Sequence, residues 1–233
     1  MDLSVVLPTL HKVGTGQLLA QRIGEICGSD LSFEVIIVTP RLTDLPQDPN
    51  VKLVVDRGGG VYAAYACGLR EVSGEYVWLI GDDDYPLDSL ARLAPLIRSR
   101  RADLIVAPVI YSTGKLYRAT QSALLLLFFN WCQQGVLYRA RVLAPMKFYR
   151  RLRIQADHYV NVLLRSDRSL HIAYVDDPLC IFGAHGISSR GGDQCFRSLR
   201  PQLARRTLSL PGFLVFRTMI CLADALKWLR GRR

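Results

Sequence analysis

Residues 76–86 read Tyr76-Val77-Trp78-Leu79-Ile80-Gly81-Asp82-Asp83-Asp84-Tyr85-Pro86. The apolar run 76–80 predicts a strand covered on both faces, as in a parallel sheet. Three carboxylates follow at its carboxyl end, where open α/β sheets bind their ligands. Adjacent carboxylates repel one another unless a cation or solvent compensates. A hard divalent ion does so, and it bridges to a diphosphate with only one or two protein carboxylates. In an extended backbone Asp82 and Asp84 share one side, which suits a single ion. By itself an acidic run is more often a solvated turn ahead of a helix. Its position at the end of an apolar strand reverses that reading.

The segments around it alternate between the two periodicities. Residues 3–7 (LSVVL), 34–38 (EVIIV), 52–55 and 103–107 (DLIVA) predict further strands. Residues 17–27 carry Leu19, Ile23 and Ile26 at helical spacing. Residues 62–72 follow the break at Gly58-Gly59-Gly60 and carry Ala66 and Leu69 on one face. Residues 88–98 carry Leu90, Leu93, Ala94 and Ile97, with Asp88 or Ser89 as the cap. This alternation predicts an α/β fold, a central, mainly parallel sheet flanked by helices. Beyond it the pattern predicts helices near 120–130 and 157–165 and a strand at 171–175. A Gly- and Ser-rich loop over 182–193 and an amphipathic helix over 213–229 complete the reading. The expected division is a domain over 1–195 and a basic amphipathic tail over 196–233.

Charge follows the same division. The 233 residues carry a net charge of +10, but 197–233 hold nine basic residues against Asp224 alone, leaving the rest of the chain at +2. A basic tail interleaved with Leu208, Leu210, Phe213, Leu214, Val215, Phe216, Met219 and Leu222 is expected to meet an anionic membrane surface or to pack on the domain. Bare basic segments suit nucleic acid better, and no nucleic-acid partner is expected here. The six cysteines show no CxxC pairing, so they are expected to be free thiols in a reducing cytoplasm. The start of the chain has no basic, then apolar, signal pattern, and no run of 18 apolar residues occurs. The expected location is cytoplasmic, or peripheral on the cytoplasmic face of a membrane.

Four segments together carry a resemblance: 3–10 (LSVVLPTL), 33–39 (FEVIIVT), 56–84 (DRGGGVYAAYACGLREVSGEYVWLIGDDD) and 157–164 (DHYVNVLL). In order and spacing they resemble family 2 glycosyltransferases of the GT-A fold, in the subgroup with a D-x-G-x-x-x-A-x-x-x-G-like segment before its acidic motif. The resemblance implies an inverting, metal-dependent transfer of a sugar from a nucleotide-sugar donor to a hydroxyl acceptor, in polysaccharide or glycolipid assembly. The implied acceptor is a saccharide or a lipid-linked saccharide, and the implied cofactor is Mn²⁺ or Mg²⁺. Pro8, Thr9, Asp56, Arg57, Asp83 and Gln134 are then the implied donor contacts. Asp82 and Asp84 are the implied metal ligands, with His185 as a further candidate. Asp157 is the implied base, although its place before 159–164 equally suits a helix cap. The sequence departs from the family where an acidic residue usually ends the second strand; Thr39-Pro40-Arg41 stands there, with Asp44 beyond. A catalytically degenerate relative, or a basic membrane- or nucleic-acid-binding protein, is the alternative. A dinucleotide oxidoreductase is excluded, because Gly14-Thr15-Gly16 lacks its third glycine and Glu34 opens a strand rather than ending one.

Overall fold

A computed structural model describes residues 1–10, 13–40, 48–146, 152–183 and 191–230, with the backbone alone at 13, 224 and 226–230. The chain opens with β1 (Leu3–Pro8), α1 (Val13–Cys27), β2 (Phe33–Thr39), β3 (Val51–Val55), α2 (Val61–Gly68) and β4 (Tyr76–Leu79). β4 pairs with β1, β1 with β2 and β2 with β3, all parallel. Alternate residues enter two cores: Leu3, Val5, Leu7, Tyr76 and Trp78 one, Val6, Val77 and Leu79 the other. Burial on both faces is why these strands read as unbroken apolar runs. α1 covers the first face through Leu19, Ala20 and Ile23, and α2 covers the second through Ala64 and Tyr65. A Cβ on Gly68 would lie 2.4 Å from Val6 and 2.8 Å from Val38, so this close approach of α2 to the sheet requires glycine.

Glu34 is the charged residue inside β2, and it is 2% exposed. Burial alone would raise its pKa, but Lys52, Ser4 and Ser73 outweigh that and bring it down to about 2. The Lys52 ammonium at 2.5 Å and the Ser4 hydroxyl tie β3 and β1 to β2 through this one carboxylate. Its role is structural, at the opposite end of the strand from Thr39.

The second half adds β5 (Tyr85–Pro86), α3 (Ser89–Arg92), α4 (Ala94–Ser99), β6 (Leu104–Val106), β7 (Val109–Tyr111), β8 (Leu116–Tyr117) and α5 (Ala123–Leu126). It continues with β9 (Val136–Arg139), α6 (Ala140–Leu143), α7 (Ala156–Ser166), β10 (Ile172–Tyr174), β11 (Cys180–Phe182), α8 (Gln194–Thr207) and α9 (Leu210–Arg230). The main sheet has the order β10-β6-β9-β4-β1-β2-β3, with β9 antiparallel to both neighbours. A small second sheet, β5-β11-β7-β8, stands beside it.

Several expected elements change length. The helix expected over 88–98 divides at Leu93, where Pro95 opens α4 and has no N–H to continue the earlier ladder. The helix expected over 62–72 ends at Gly68. The one expected over 120–130 is the single turn α5, capped by the Ser122 hydroxyl on the Leu125 N–H. The tail is two helices rather than one. The boundary expected at 195/196 falls inside α8, and Phe196, Leu203, Ala204 and Phe216 are buried in the second core. All six cysteines are free; Cys27 and Cys180 are buried and Cys221 is exposed.

Candidate active site

β1 and β4 are neighbours in register, Val6 opposite Leu79, so their carboxyl ends deliver Pro8, Thr9 and residues 81–84 to one place. The Thr9 hydroxyl donates to Asp82 Oδ2 at 2.7 Å. Residues 82 and 83 form a turn rather than an extended run, and this changes which carboxylates face outward. Asp82 and Asp83 line a cavity of about 340 Å³, whereas Asp84 does not. Asp84 is 9% exposed and accepts two backbone N–H groups, from Gly81 at 2.6 Å and Gly183 at 3.0 Å. Burial raises its pKa to about 6 against the pull of those two N–H groups, and the charge on Asp83 adds to the rise. The same-side pairing expected of Asp82 and Asp84 therefore does not occur; the pair facing the cavity is Asp82 and Asp83. Gly183 fits closely beneath the turn, since a Cβ there would lie 2.2 Å from Asp83 Oδ2.

Asp157 reaches the same cavity from the first turn of α7. The helix cap is Gln155, not Asp157. Asp193, just before α8, fixes this start: its Oδ2 accepts the N–H groups of Ile154 and Gln155 at 2.8 and 2.9 Å. Freed from capping, the Asp157 carboxylate meets two side chains. Tyr62 Oη lies 2.6 Å from Oδ1, and Asn130 Nδ2 donates to Oδ2 at 2.6 Å. Asn161 Nδ2 donates to Asn130 Oδ1 at 3.0 Å and Asn161 Oδ1 accepts from the Tyr138 hydroxyl at 2.8 Å, so each amide has one consistent orientation.

The Tyr62 hydroxyl can donate to Asp157 Oδ1 or to the Ile154 carbonyl at 2.5 Å. Burial raises the Asp157 pKa, and the hydrogen bonds from Tyr62, the His158 N–H and Asn130 oppose that rise. Burial thus favours the protonated form and the three hydrogen bonds favour the ionised one, with burial the larger influence. His158, next along, takes no part: it is 1% exposed, its Nε2 lies 2.5 Å from the Leu126 carbonyl and its ring packs on Phe196. Burial lowers its pKa to about 4, so it stays neutral.

The remaining walls carry Gln133, Gln134, Arg153 and the rings of Tyr111, Tyr117 and Phe182. Gln134 hydrogen-bonds Asp84 through its side chain, and its carbonyl accepts from Trp78 Nε1 at 2.8 Å. Of the residues singled out from sequence, Pro8, Asp82, Asp83, Gln134 and Asp157 line one cavity, with Thr9 and Asp84 directly behind it. Asp56 and Arg57 are not among the lining residues; Asp56 Oδ1 accepts the Gly58 N–H and closes the glycine turn. His185, Arg41 and Asp44 lie outside the described residues. Tyr62, Asn130, Asn161 and Arg153 were not assigned from sequence, and of these Tyr62 and Asn161 stand in quoted motifs.

Among the described residues no group of three or more His, Cys, Asp or Glu side chains is placed to hold a metal. Two outward carboxylates, Asp82 and Asp83, are the sparse protein share that suits Mg²⁺ or Mn²⁺ when a diphosphate completes the shell. The donor set therefore fits such an ion, with Asp84 fixing the turn from below.

The profile described as Glycosyl transferase family 2 matches residues 4–155. No curated protein matches in sequence. Among solved structures, S. aureus TarS 1-349 in complex with UDP superposes with a TM-score of 0.66 at 17% identity, covering 88% of this chain and 65% of that one. A longer TarS structure also matches, and this chain spans 37% of its length. The mannosyltransferase PcManGT from Pyrobaculum calidifontis, in complex with GDP-Man and Mn²⁺, gives 0.54 at 13% identity, covering 95% and 80%. Glucosyl-3-phosphoglycerate synthase from Mycobacterium tuberculosis, with Mn²⁺, UDP-Glc and phosphoglyceric acid, gives 0.52 at 17%, covering 88% and 79%. The α/β fold is that of these GT-A glycosyltransferases.

Proposed function

The chain belongs to glycosyl transferase family 2, and we propose that it moves a sugar from a nucleotide-sugar donor to a hydroxyl acceptor with inversion at the anomeric carbon. One observation carries this reading: Asp157 and the acidic turn at Asp82 and Asp83 line one cavity. An acid cluster to hold a diphosphate through a cation and a separate carboxyl to take a proton are the two parts such a transfer needs.

Asp82 and Asp83 would hold the divalent ion. When bound, that ion supplies charge stabilisation to the leaving diphosphate. Asp157 accepts the proton of the acceptor hydroxyl as that oxygen attacks the anomeric carbon. The bond between that carbon and the diphosphate oxygen breaks in the same displacement, and the nucleoside diphosphate leaves. Tyr62 and Asn130 hold the carboxylate in one orientation while it takes the proton. The rings of Tyr111, Tyr117 and Phe182 suit a saccharide acceptor, whose apolar face packs on aromatic surface. Polysaccharide or glycolipid assembly supplies acceptors of this kind, including lipid-linked ones. The donor contacts outside the cavity, Asp56 and Arg57, belong to this reading only through the family pattern.

The test is a panel of UDP-, GDP-, dTDP- and CMP-sugars with Mn²⁺, Mg²⁺ or EDTA, comparing the wild-type chain with Asp83→Asn and Asp157→Asn. The expected result is metal-dependent binding of one donor, weakened by Asp83→Asn and kept by Asp157→Asn. Binding of no donor with any metal would overturn the proposal.

A further inference from the structure

The outward face of α9 is apolar. Leu210, Leu214, Val215 and Leu222 are 73, 58, 49 and 59% exposed, at positions where a helix lying on a core ordinarily carries polar residues. Thr218 shares this face, and its hydroxyl bonds back to the Leu214 carbonyl at 3.1 Å, so it needs no outside partner. On the inward side Phe216 is buried against Phe128, ring centroids 5.5 Å apart. Ile220 is half-buried and Ala223, one turn further along the same line, is exposed. Past Ile220 the described side chains, at 221–223 and 225, are all exposed. Leu125 and Phe129, flanking Phe128 in the chain, are 40 and 61% exposed, and Phe129 runs directly into Asn130 at the cavity wall.

The charge around this face is one-sided. Arg197, Arg205, Arg206 and Arg217 are exposed, and none has a carboxylate partner among the described residues. Residues 197–233 carry a net charge of +8. A second copy of the chain would cover the leucines only by bringing a second cationic segment against the first. A nucleic acid would meet the arginines and leave the leucines in water. A surface that is apolar beneath and anionic above satisfies both. We propose that α9, flanked by the arginines of α8, docks on an anionic lipid bilayer surface, lying in the interface rather than crossing it. No helix among the described residues is long and apolar enough to span a membrane.

The experiment is flotation of the full chain with vesicles of phosphatidylcholine alone or mixed with phosphatidylglycerol, and it does not depend on sugar transfer. The chain is expected to float with the mixed vesicles, far less with the neutral ones, and to be released as salt is raised. Leu214→Asp combined with Leu222→Asp should abolish flotation while the circular dichroism spectrum stays that of the wild type, since both sites are exposed. Arg205→Gln, Arg206→Gln and Arg217→Gln together provide an independent arm, with binding weakened by about fivefold for each charge removed. Absence of flotation with mixed vesicles, or flotation indifferent to the two aspartates, would overturn the proposal. So would a dimer in light scattering that the two aspartates dissolve, or binding to duplex DNA that matches binding to lipid.

Discussion

The carboxyl end of β4 and the first turn of α7 each present a buried carboxyl group whose main hydrogen-bond donors differ in kind, with the Gln134 side chain added at the first and the His158 N–H at the second. Asp84 takes the backbone N–H groups of Gly81 and Gly183. Asp157 takes the side chains of Tyr62 and Asn130. Burial raises the pKa of both. Backbone donors come with the path of the chain, so the acidic turn is built by the fold itself. Side-chain donors can be removed one at a time, so the base is set by residue choice at distant positions. One region should thus fail through its glycines and the other through its polar neighbours.

Asp157→Asn gives the largest expected effect, a fall in kcat of roughly 10³-fold, within the range for loss of a general base, with donor binding unchanged by calorimetry. Transfer within tenfold of the wild type would place the base elsewhere and break the comparison at its root. Gly183→Ala should follow. Its Cβ would meet Asp83 Oδ2 at 2.2 Å and the Asp83 carbonyl at 2.7 Å, so the turn must shift. A displacement of this size costs about 10²-fold in kcat/KM, and here it should appear as weakened metal-dependent donor binding. If donor binding and kcat/KM are both unchanged, the acidic turn does not depend on its backbone clasp.

How much of this was legible in the sequence divides along the same line. β1, β2 and β4 are unbroken apolar runs because the sheet is covered on both faces, and that pattern is local. β9, with four residues, and the second sheet, with strands of two or three, are too short to leave a period. The place of the acidic turn follows from strand order, but the inward rotation of Asp84 depends on Gly183, which arrives from β11. Asp157 was legible as a carboxylate at the start of a helix. Its partners were not, because Tyr62 and Asn130 stand 95 and 27 residues away and no spacing records that meeting. Tyr62 fell inside a quoted motif without a role, since a tyrosine in a helix facing a sheet reads first as core.

Tyr62→Phe sharpens the comparison through pH. Donation from Tyr62 stabilises the ionised carboxyl of Asp157 and opposes the rise caused by burial. Removing it lets the pKa climb further, so a smaller fraction of Asp157 is ionised at any pH on the rising limb. The limb of kcat/KM against pH should therefore move to higher pH, with activity on the limb roughly tenfold lower, as for other loss of an orienting partner. The other titratable groups that interact with this carboxyl, Tyr65, Cys132 and Tyr138, are untouched by the substitution. A lower plateau with an unmoved limb would mean that Tyr62 only packs.

Tyr138→Phe asks how far the side-chain network extends and should give the smallest effect. The hydroxyl is buried and donates to Asn161 Oδ1 at 2.8 Å, three hydrogen bonds from Asp157. Its loss should lower stability by about 1 kcal/mol, the net value of one hydrogen bond, and change kcat less than Tyr62→Phe does. Without that bond the Asn161 amide can turn over, which would present an oxygen to Asn130 Oδ1 and weaken the fixed direction of the chain. A tenfold fall in kcat with an unchanged melting temperature would show that amide orientation, rather than direct contact, sets the base. The contrast with Asp84, whose two backbone donors cannot turn, would then be sharper than the two distances at Asp157 alone suggest.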